Sequence, residues 1–440
     1  MDGTAVVIGA GMGGLATARV LSRRYAQVVV LDRDTLPAGG EPRRGVPQSA
    51  HGHILLISGL RELAGLFPGL DDELVERGAS RFDLGTGLCN YRFGRRRISA
   101  PAGQDLTSVS RPQLEAVIRE RVATEPNVKI REGVTVSALT GTATAVTGVV
   151  LDTGETIAAG LVVDCSGRSS RSDRWLAELG LPTPRQLEVE IGVAYTTRVY
   201  RRGSDELEGW RAAIVVPEPP HEKRAGLVLP IEGDRWLVAV GGWHIDPVPS
   251  DVASFEAYAR SLPDPIVANL ISRAEPLGEP VPYRFRSSRR RLFEELDRLP
   301  AGYVTVGDAV CSFNPIYGQG MTVAAMAAVA LGEVLDRHGS VTAAAARDYY
   351  RAAAGLIAVP WRFAVGNDFA YPETAGPRPR GVGLTNWYSK RLGIASQVSP
   401  ELSRVYLGVQ QLLAPPSELL KPSVIAKALR LGGRRDGRAS

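Results

Sequence analysis

Two glycine-rich segments could hold a phosphate-bearing cofactor, and the first lies at the N-terminus. Residues 9–14 read Gly-Ala-Gly-Met-Gly-Gly, which is G-x-G-x-x-G, and follow an apolar, β-branched run that predicts a buried strand. Gly9 permits a tight turn, Gly11 lets the backbone approach a pyrophosphate, and Gly14 lets a helix pack on the strand. The next apolar strand ends at Asp32, whose carboxylate suits a ribose hydroxyl. This context predicts a dinucleotide site and leaves FAD and NAD open.

The second segment, 302–321, begins as a strand that ends in Gly-Asp and continues through Pro315 to a Gly-x-Gly loop. A small-residue stretch, 322–335, then has the composition of a helix. Its N-terminus would present a partial positive charge to an electron-rich group. Gly318 and Gly320 would let a flat ring lie against the backbone, and Asp308 is placed to accept a hydrogen bond from a polyol chain.

Together the two segments resemble those of the single-chain FAD-dependent monooxygenases, which share the fold of aromatic hydroxylases and squalene epoxidase. The resemblance implies that Asp308 binds the flavin ribityl chain and that the amides of 318–321 stabilise negative charge on reduced flavin, as an oxyanion hole does. The residues it assigns to catalysis are Pro315, Gly318, Gln319, Gly320 and Met321. The residues it assigns to the cofactor are Gly9, Gly11, Gly13, Gly14, Asp32, Arg33, Arg44, Arg111, Val136, Asp164, Gly307, Asp308, Gly320 and Met321.

Three of these assignments depend on local context. Of the arginines at 43 and 44, we expect Arg44 to contact the flavin or a phosphate, and Arg111 to reach the cofactor from a helix start. Asp164 precedes Ser166-Gly167, which stands where aromatic hydroxylases carry Asp-Gly, so Asp164 either contacts the cofactor or holds the turn. His51 and His53 have no third ligand nearby, so we expect no metal and interpret them as packing or hydrogen-bonding groups.

The resemblance extends to the reaction, and the segments 44–53 and 313–321 are most similar to bacterial flavin epoxidases of polyether-type pathways. It implies transfer of one oxygen atom of O₂, through a flavin C4a-hydroperoxide, to an alkene of a polyketide or terpenoid intermediate. Hydroxylation of an aromatic or indole ring and flavin-dependent reduction of an alkene stay open. The motifs contain no convincing general base, which favours the alkene. Candidate substrate contacts are Tyr195, Leu229, Val238 and Phe313.

The fold expected is α/β, with a Rossmann-like FAD-binding domain interleaved with an antiparallel sheet that holds a small hydrophobic substrate, followed by C-terminal helices. We place the FAD-binding domain at 1–75, 104–185 and 285–340, the sheet domain at 76–103 and 186–284, and the helical region at 341–440. Glu232-Gly233-Asp234 predicts a hairpin turn within the sheet. The stripe between Leu402 and Leu413 predicts an amphipathic helix that docks on the body, with contact to a membrane surface as the alternative.

Composition bears on the protein's partners and its cellular compartment. The 440 residues carry 52 Lys and Arg against 47 Asp and Glu, and the Arg runs are not interleaved with aromatics, which argues against nucleic-acid binding. No apolar run reaches the roughly 20 residues of a membrane helix, and no secretory signal opens the chain. Three distant cysteines indicate reduced thiols and a cytoplasmic protein. Electrons would come from NAD(P)H directly or from a separate flavin reductase.

Overall fold

The computed structural model describes residues 3–204 and 206–433. The strands are β1 Thr4–Ile8, β2 Gln27–Leu31, β3 Ser80–Asp83, β4 Leu88–Arg92, β5 Arg95–Arg96, β6 Asp105–Ser108, β7 Val128–Arg131, β8 Val136–Gly141, β9 Val146–Leu151, β10 Thr156–Ala158, β11 Leu161–Asp164, β12 Gln186–Arg201, β13 Ala212–Val215, β14 Arg224–Ile231, β15 Arg235–Trp243, β16 Val281–Arg291, β17 Tyr303–Thr305 and β18 Cys311–Ser312. The α-helices are α1 Met12–Ser22, α2 Ile57–Leu66, α3 Leu70–Glu76, α4 Leu84–Gly87, α5 Arg111–Ala123, α6 Ser172–Glu178, α7 Val252–Arg260, α8 Ile266–Ile271, α9 Gly320–His338, α10 Ala343–Asp368, α11 Val382–Val398, α12 Pro400–Gln410 and α13 Pro422–Gly432.

A parallel sheet carries both glycine motifs. Its strand order is β17-β11-β1-β2-β7, and each neighbouring pair is parallel. β1, β2, β11 and β17 are almost wholly buried, as strands of a covered parallel sheet are, whereas the edge strand β7 is partly exposed. α1 packs on β1 and β2, and β9 of the three-stranded sheet β10-β9-β8 packs on β11. β1, β11 and β17 end at the same edge, so the turns that follow them meet there, with that of β11 in the middle.

A larger, mostly antiparallel sheet stands over this edge. Its order is β18-β16-β12-β15-β14-β13-β4-β5, with one parallel pair, β13 and β4. The hairpin expected at Glu232-Gly233-Asp234 joins β14 to β15, and the region 76–103 adds β4 and β5 to the sheet as expected. Strand β16 runs through the predicted boundary between 284 and 285, because it pairs with β12 along both halves of its length. The predicted fold class is confirmed.

The C-terminal helices close the space between the two sheets. α10 packs along α9, and its buried face includes Tyr349, Tyr350 and Trp361. α11, α12 and α13 form a separate apolar cluster around Leu392, Leu402 and similar side chains. The predicted amphipathic stripe therefore lies on α12 and in the turn after it. Within 3–204 and 206–433, none of the helices has both the length and the hydropathy needed to cross a bilayer.

Candidate active site

The turn after β1 forms one end of an elongated cavity of about 430 Å³. Gly9 has a φ of +101°, and a Cβ atom there would stand 2.7 Å from the carbonyl oxygen of Cys165. A Cβ atom on Gly14 would stand 1.8 Å from the carbonyl oxygen of Gly9, so only glycine lets α1 pack against this turn. No side chain from the described ranges caps the start of α1, which leaves its amides free to face the cavity.

A buried charge cluster supports this end. Asp32 Oδ2 accepts hydrogen bonds from the amide of Ala10 at 2.6 Å and from Arg43 Nη1 at 3.0 Å. Arg43 also pairs with Asp34 at 3.2 Å and with Glu115 at 2.7 Å. Burial opposes the charge of Arg43, but Glu115 and Asp32 raise its pKa above the ordinary value. One guanidinium thus binds three carboxylates and fixes the acid at the end of β2.

The structure places Arg43, rather than the predicted Arg44, on the cavity wall. Arg44 is exposed and outside the lining, whereas Arg43, one residue earlier, lines the cavity with a side chain that is 6% exposed. The loop after β2 turns Arg43 inward onto Asp32, and Arg44 lies in the turn that the Val46 amide closes by donating to the carbonyl oxygen of Arg43 at 3.1 Å.

The second motif forms the opposite side of the same cavity. Gly307 and Asp308 follow β17, and a Cβ atom on Gly320 would lie 3.6 Å from Asp308 Oδ1. Burial raises the pKa of Asp308, while Arg111, Arg168 and Arg289 oppose that rise. The carboxylate therefore faces the cavity among cations, as a group that accepts hydroxyl hydrogen bonds would.

The loop before α9 is also open toward the cavity. Gly318 has a φ of +67°, and a Cβ atom there would approach the carbonyl oxygen of Ile54 to 2.9 Å. Gln319 is buried, and its Oε1 atom makes no hydrogen bond with any part of the chain that the structure describes. Two helix N-termini and a central acid thus face one elongated cavity, and these residues fit FAD: α1 for the pyrophosphate, Asp308 for the ribityl chain, and the start of α9 for the ring.

Arg111 and His53 lie together on the cavity wall. Arg111 is the first residue of α5, and its Nη1 atom is 3.4 Å from His53 Nε2. Burial and then Arg111 lower the pKa of His53 to about 3, so the imidazole is neutral and its Nδ1 atom donates to the carbonyl oxygen of His51 at 2.9 Å. His51 contacts Thr197 Oγ1 at 2.9 Å through Nδ1. The hydrogen-bonding role expected for both histidines is confirmed.

The remaining predicted cofactor residues fall into two groups. The cavity is lined by Gly9, Gly11, Gly13, Asp32, Arg33, Arg111, Val136, Gly307, Asp308, Pro315, Gly318, Gln319, Gly320 and Met321. Gly14 acts by packing, and Asp164 is fully buried outside the lining. Asp164 accepts hydrogen bonds from the Ser166 amide at 2.9 Å and from Ser170 Oγ at 2.6 Å. The structure therefore places Asp164 in the turn after β11 and outside the cavity lining, in the turn-holding position of the two roles predicted for it.

A second cavity, of about 260 Å³, is mostly apolar and adjoins the first. Ile54, Pro315 and Gly318 line both, so the two cavities meet beside the loop that would hold the flavin ring. From there the second cavity runs along β15, β14, β13 and β4, under α12 and the turn after it. We call it the apolar cavity, the first cavity the flavin cavity, and residues 313–319, between β18 and α9, the flavin loop.

Of the predicted substrate contacts, two lie in the apolar cavity. Tyr195 and Leu229 line it. Val238 does not, because it points to the other face of β15 and packs with Phe255 and Val267. Phe313 lines the flavin cavity instead.

Asp368, which no sequence motif indicated, is the last residue of α10 and lies behind the flavin loop. Its Oδ1 atom accepts hydrogen bonds from Trp243 Nε1 at 2.9 Å, Asn314 Nδ2 at 2.8 Å and Tyr317 OH at 3.1 Å. Its Oδ2 atom is buried and has no hydrogen-bond partner within 3–204 and 206–433. Burial raises the pKa of Asp368 to about 6, against the hydrogen bonds that lower it. Asp368 ties the loop to both the large sheet and the aromatic wall of the apolar cavity.

Comparisons with known proteins agree with this geometry. A family model described as an FAD binding domain matches residues 2–354. Protein Rv3254 of Mycobacterium tuberculosis is 32% identical over 452 residues, covering 97% of this chain and 94% of that protein. A flavoprotein/dehydrogenase from Cytophaga hutchinsonii superposes with a TM-score of 0.68 at 17% identity, covering 99% of this chain and 100% of that one. PqsL of Pseudomonas aeruginosa, in complex with 2-aminobenzoylacetate, superposes with a TM-score of 0.61 at 19% identity, covering 84% and 99%. These two structures share the fold.

Proposed function

The chain belongs to the FAD binding domain family, the FAD-dependent monooxygenases indicated by its two glycine motifs, and within it we propose that this enzyme epoxidises an alkene of a polyketide or terpenoid intermediate. The observation that carries the proposal is the apolar cavity, which meets the flavin cavity at Ile54, Pro315 and Gly318. In the described part of the chain, its lining contains no Asp, Glu or His. An alkene needs an apolar surface and no base, whereas a phenol is activated by losing a proton.

The chain's own residues would position and shield the reaction. Bound FAD, once reduced, supplies the two electrons that activate O₂. The free amides at the start of α9 would stabilise negative charge at the edge of the ring, and Gly318 and Gly320 would allow its close approach. The apolar walls exclude water, which protects a reactive oxygen species from unproductive decay. Trp243 and Tyr317, with ring centroids 6.2 Å apart, wall the cavity next to the loop.

One observation favours a second candidate, hydroxylation of an aromatic ring. Tyr317 lines the apolar cavity and hydrogen-bonds to Asp368, whose pKa of about 6 suits a proton acceptor near neutral pH. A phenolic substrate hydrogen-bonded to the Tyr317 hydroxyl could pass its proton through Tyr317 to Asp368. The pair also has a structural role, because the same carboxylate oxygen holds Asn314 and Trp243.

The test is oxygen transfer under ¹⁸O₂. The holoenzyme is reduced anaerobically with dithionite, mixed with ¹⁸O₂ and either farnesol or 4-pentylphenol, and the products are analysed by mass spectrometry. Epoxidation predicts one ¹⁸O atom in an epoxide of farnesol and at most slow conversion of the phenol. A labelled catechol with no epoxide would overturn the proposal in favour of hydroxylation, and a saturated, unlabelled product would indicate reduction of the alkene.

The variant Tyr317→Phe separates the two candidates further. It should leave epoxidation within about threefold of the wild-type rate and should lower hydroxylation about 100-fold, the usual size of a lost proton-transfer step. Repeating the reduction with NADPH alone tests the source of electrons. We propose a cytoplasmic enzyme, in keeping with the three unpaired cysteines, and failure of NADPH to bleach the flavin would favour a separate reductase.

A further inference from the structure

The end of the apolar cavity away from the flavin loop is positively charged. Arg92 and Arg97 both line the cavity at β4 and just after β5, and the lining within the described residues includes no carboxylate. β5 is the last strand of the large sheet, at the edge opposite β18, which leads into the flavin loop. β15 and β4 are three strands apart, which is about 14 Å between the two backbones. The Arg92 guanidinium reaches back from β4 toward the aromatic wall, since its charge opposes the rise in the pKa of Tyr317 and Tyr371.

Arg97 lacks, within the described chain, the acidic partners that its neighbour Arg96 has. It is 7% exposed, and no Asp or Glu of the described chain lies within 4 Å of its guanidinium, whereas Arg96 pairs with Asp264 at 2.8 Å and with Glu208 at 2.6 Å. Burial lowers the pKa of Arg97 to about 10. A buried guanidinium without a carboxylate is costly, and such charges are normally paired.

The acid that acts on the charge of Arg97 already accepts several hydrogen bonds from other groups. Asp83 acts on Arg97 at a distance, but its two oxygens accept hydrogen bonds from the amides of Gly85, Thr86, Ala102, Gly103 and Gln104. Arg97 Nη2 donates to the carbonyl oxygens of Leu84 and Leu88, which hold the side chain in place without balancing its charge.

Polar groups with unmet hydrogen bonds surround this end. The Nε atoms of Arg92 and Arg97 and the Oε1 atom of Gln397 are buried and have no hydrogen-bond partner among the residues that the structure describes. Asn90 and Gln410 also line the cavity here. The apolar cavity therefore has a cationic, hydrogen-bonding region around Arg97 under α12, and Arg92 extends this positive charge toward Tyr317 and Tyr371.

We propose that Arg97, with Arg92, binds a carboxylate at the end of an elongated apolar substrate, and so fixes which part of that substrate reaches the flavin loop. A planar guanidinium matches a carboxylate in shape, and the charge-assisted bond is strong where water is excluded. This inference rests on the proposed function, since it assumes that the apolar cavity holds the substrate.

The test measures binding without turnover. Oxidised holoenzyme is titrated at pH 7.5 with farnesoic acid and with farnesol, which share a chain and differ in head group, and the dissociation constants are read from the flavin spectrum or by calorimetry. Wild-type enzyme should bind the acid at least about tenfold more tightly than the alcohol. In Arg97→Met that preference should fall to within about twofold, through weaker binding of the acid, and Arg97→Lys should restore part of it.

The control variant is Arg202→Met, which removes an arginine from a pair with Asp234 outside the cavity and should keep the preference. Retained flavin absorbance establishes that each variant is folded. Equal affinity for acid and alcohol in the wild type would overturn the proposal even if no variant folded. Tighter binding of farnesyl phosphate than of the acid would replace the carboxylate by a phosphate and overturn it too.

The two proposals fail in different ways. If the acid binds preferentially but neither compound is oxygenated, the carboxylate site stands and the epoxidase proposal falls. If both compounds bind alike and both are epoxidised, the epoxidase proposal stands and the carboxylate site falls.

Discussion

The pH dependence of stability tests whether Asp368 is buried behind the flavin loop as the structure shows. Burial raises the pKa of its carboxyl from 3.8 to about 6. An acid whose pKa is higher in the folded chain keeps its proton there after the unfolded chain has lost it, so stability falls as pH rises between the two values. Each unit is worth about 1.4 kcal/mol, so the ionised carboxylate costs the folded state about 3 kcal/mol at neutral pH.

The substitution Asp368→Asn removes this titration and keeps the shape. At pH 4.5 the cost in the wild type is about 1 kcal/mol, because the folded carboxyl is still mostly protonated, and at pH 7.5 it reaches its full value. Relative to the wild type, the variant should therefore gain about 2 kcal/mol in free energy of unfolding between pH 4.5 and 7.5. Urea unfolding followed by tryptophan fluorescence measures this difference.

A matched control uses Asp246→Asn, because the Asp246 side chain is 83% exposed. Its difference from the wild type should stay constant within about 0.5 kcal/mol across the same pH range, as surface substitutions usually do. If Asp368→Asn gave an equally constant difference, its carboxyl would not titrate here, and the reasoning from burial would be refuted. A uniform loss of stability would then report only the altered hydrogen bonds to the loop.

Three further predictions concern the two cavities. Gly14→Ala places a Cβ atom 1.8 Å from a carbonyl oxygen of the preceding turn, so the purified protein should lack the 450 nm absorbance of FAD; retained colour would contradict the assigned packing. Arg43→Met leaves three carboxylates without their cation and should destabilise the protein by about 3–5 kcal/mol in urea unfolding, whereas Arg44→Met should change stability by less than about 0.5 kcal/mol. Similar effects of the two would refute the assignment of Arg43. Leu229→Trp narrows the apolar cavity and should raise the KM for farnesol at least about tenfold. Val238→Ala, on the other face of the sheet, should leave the KM unchanged. A larger rise in KM for Val238→Ala than for Leu229→Trp would mean that the two faces are assigned the wrong way round.

The parallel sheet and both glycine motifs could be predicted because their signals are local. A buried strand, a turn that only glycine permits and a helix start follow one another within twenty residues, so spacing alone fixes which side chains meet. Asp32 and Asp308 were found in this way, since each terminates such a unit. The hairpin at 232–234 is local for the same reason.

Predictions differed from the structure where the local spacing of residues does not determine which way a side chain points. Arg43 and Arg44 are neighbours of one type, and only the path of the loop after β2 decides which turns inward. Val238 and Leu229 lie in strands that are buried on both faces, so alternation in the sequence cannot tell the cavity side from the helix side. Asp368 was missed because its partners Asn314 and Trp243 are 54 and 125 residues away and meet it only through the packing of α10.

The charge distribution of the apolar cavity would serve two requirements of the proposed reaction. Oxygen transfer needs surroundings from which water is excluded, and Tyr317 and Trp243 stand between this cavity and the Asp368 carboxylate to which both are hydrogen-bonded. Recognition of a carboxylate would need a strong polar contact, and Arg97 lies just after β5, four strands from β15 in the order of the large sheet. Under the two proposals, a substrate whose carboxylate binds Arg97 would reach the flavin loop only with a double bond at a matching distance along its chain, and that distance is the quantity that the cavity would select.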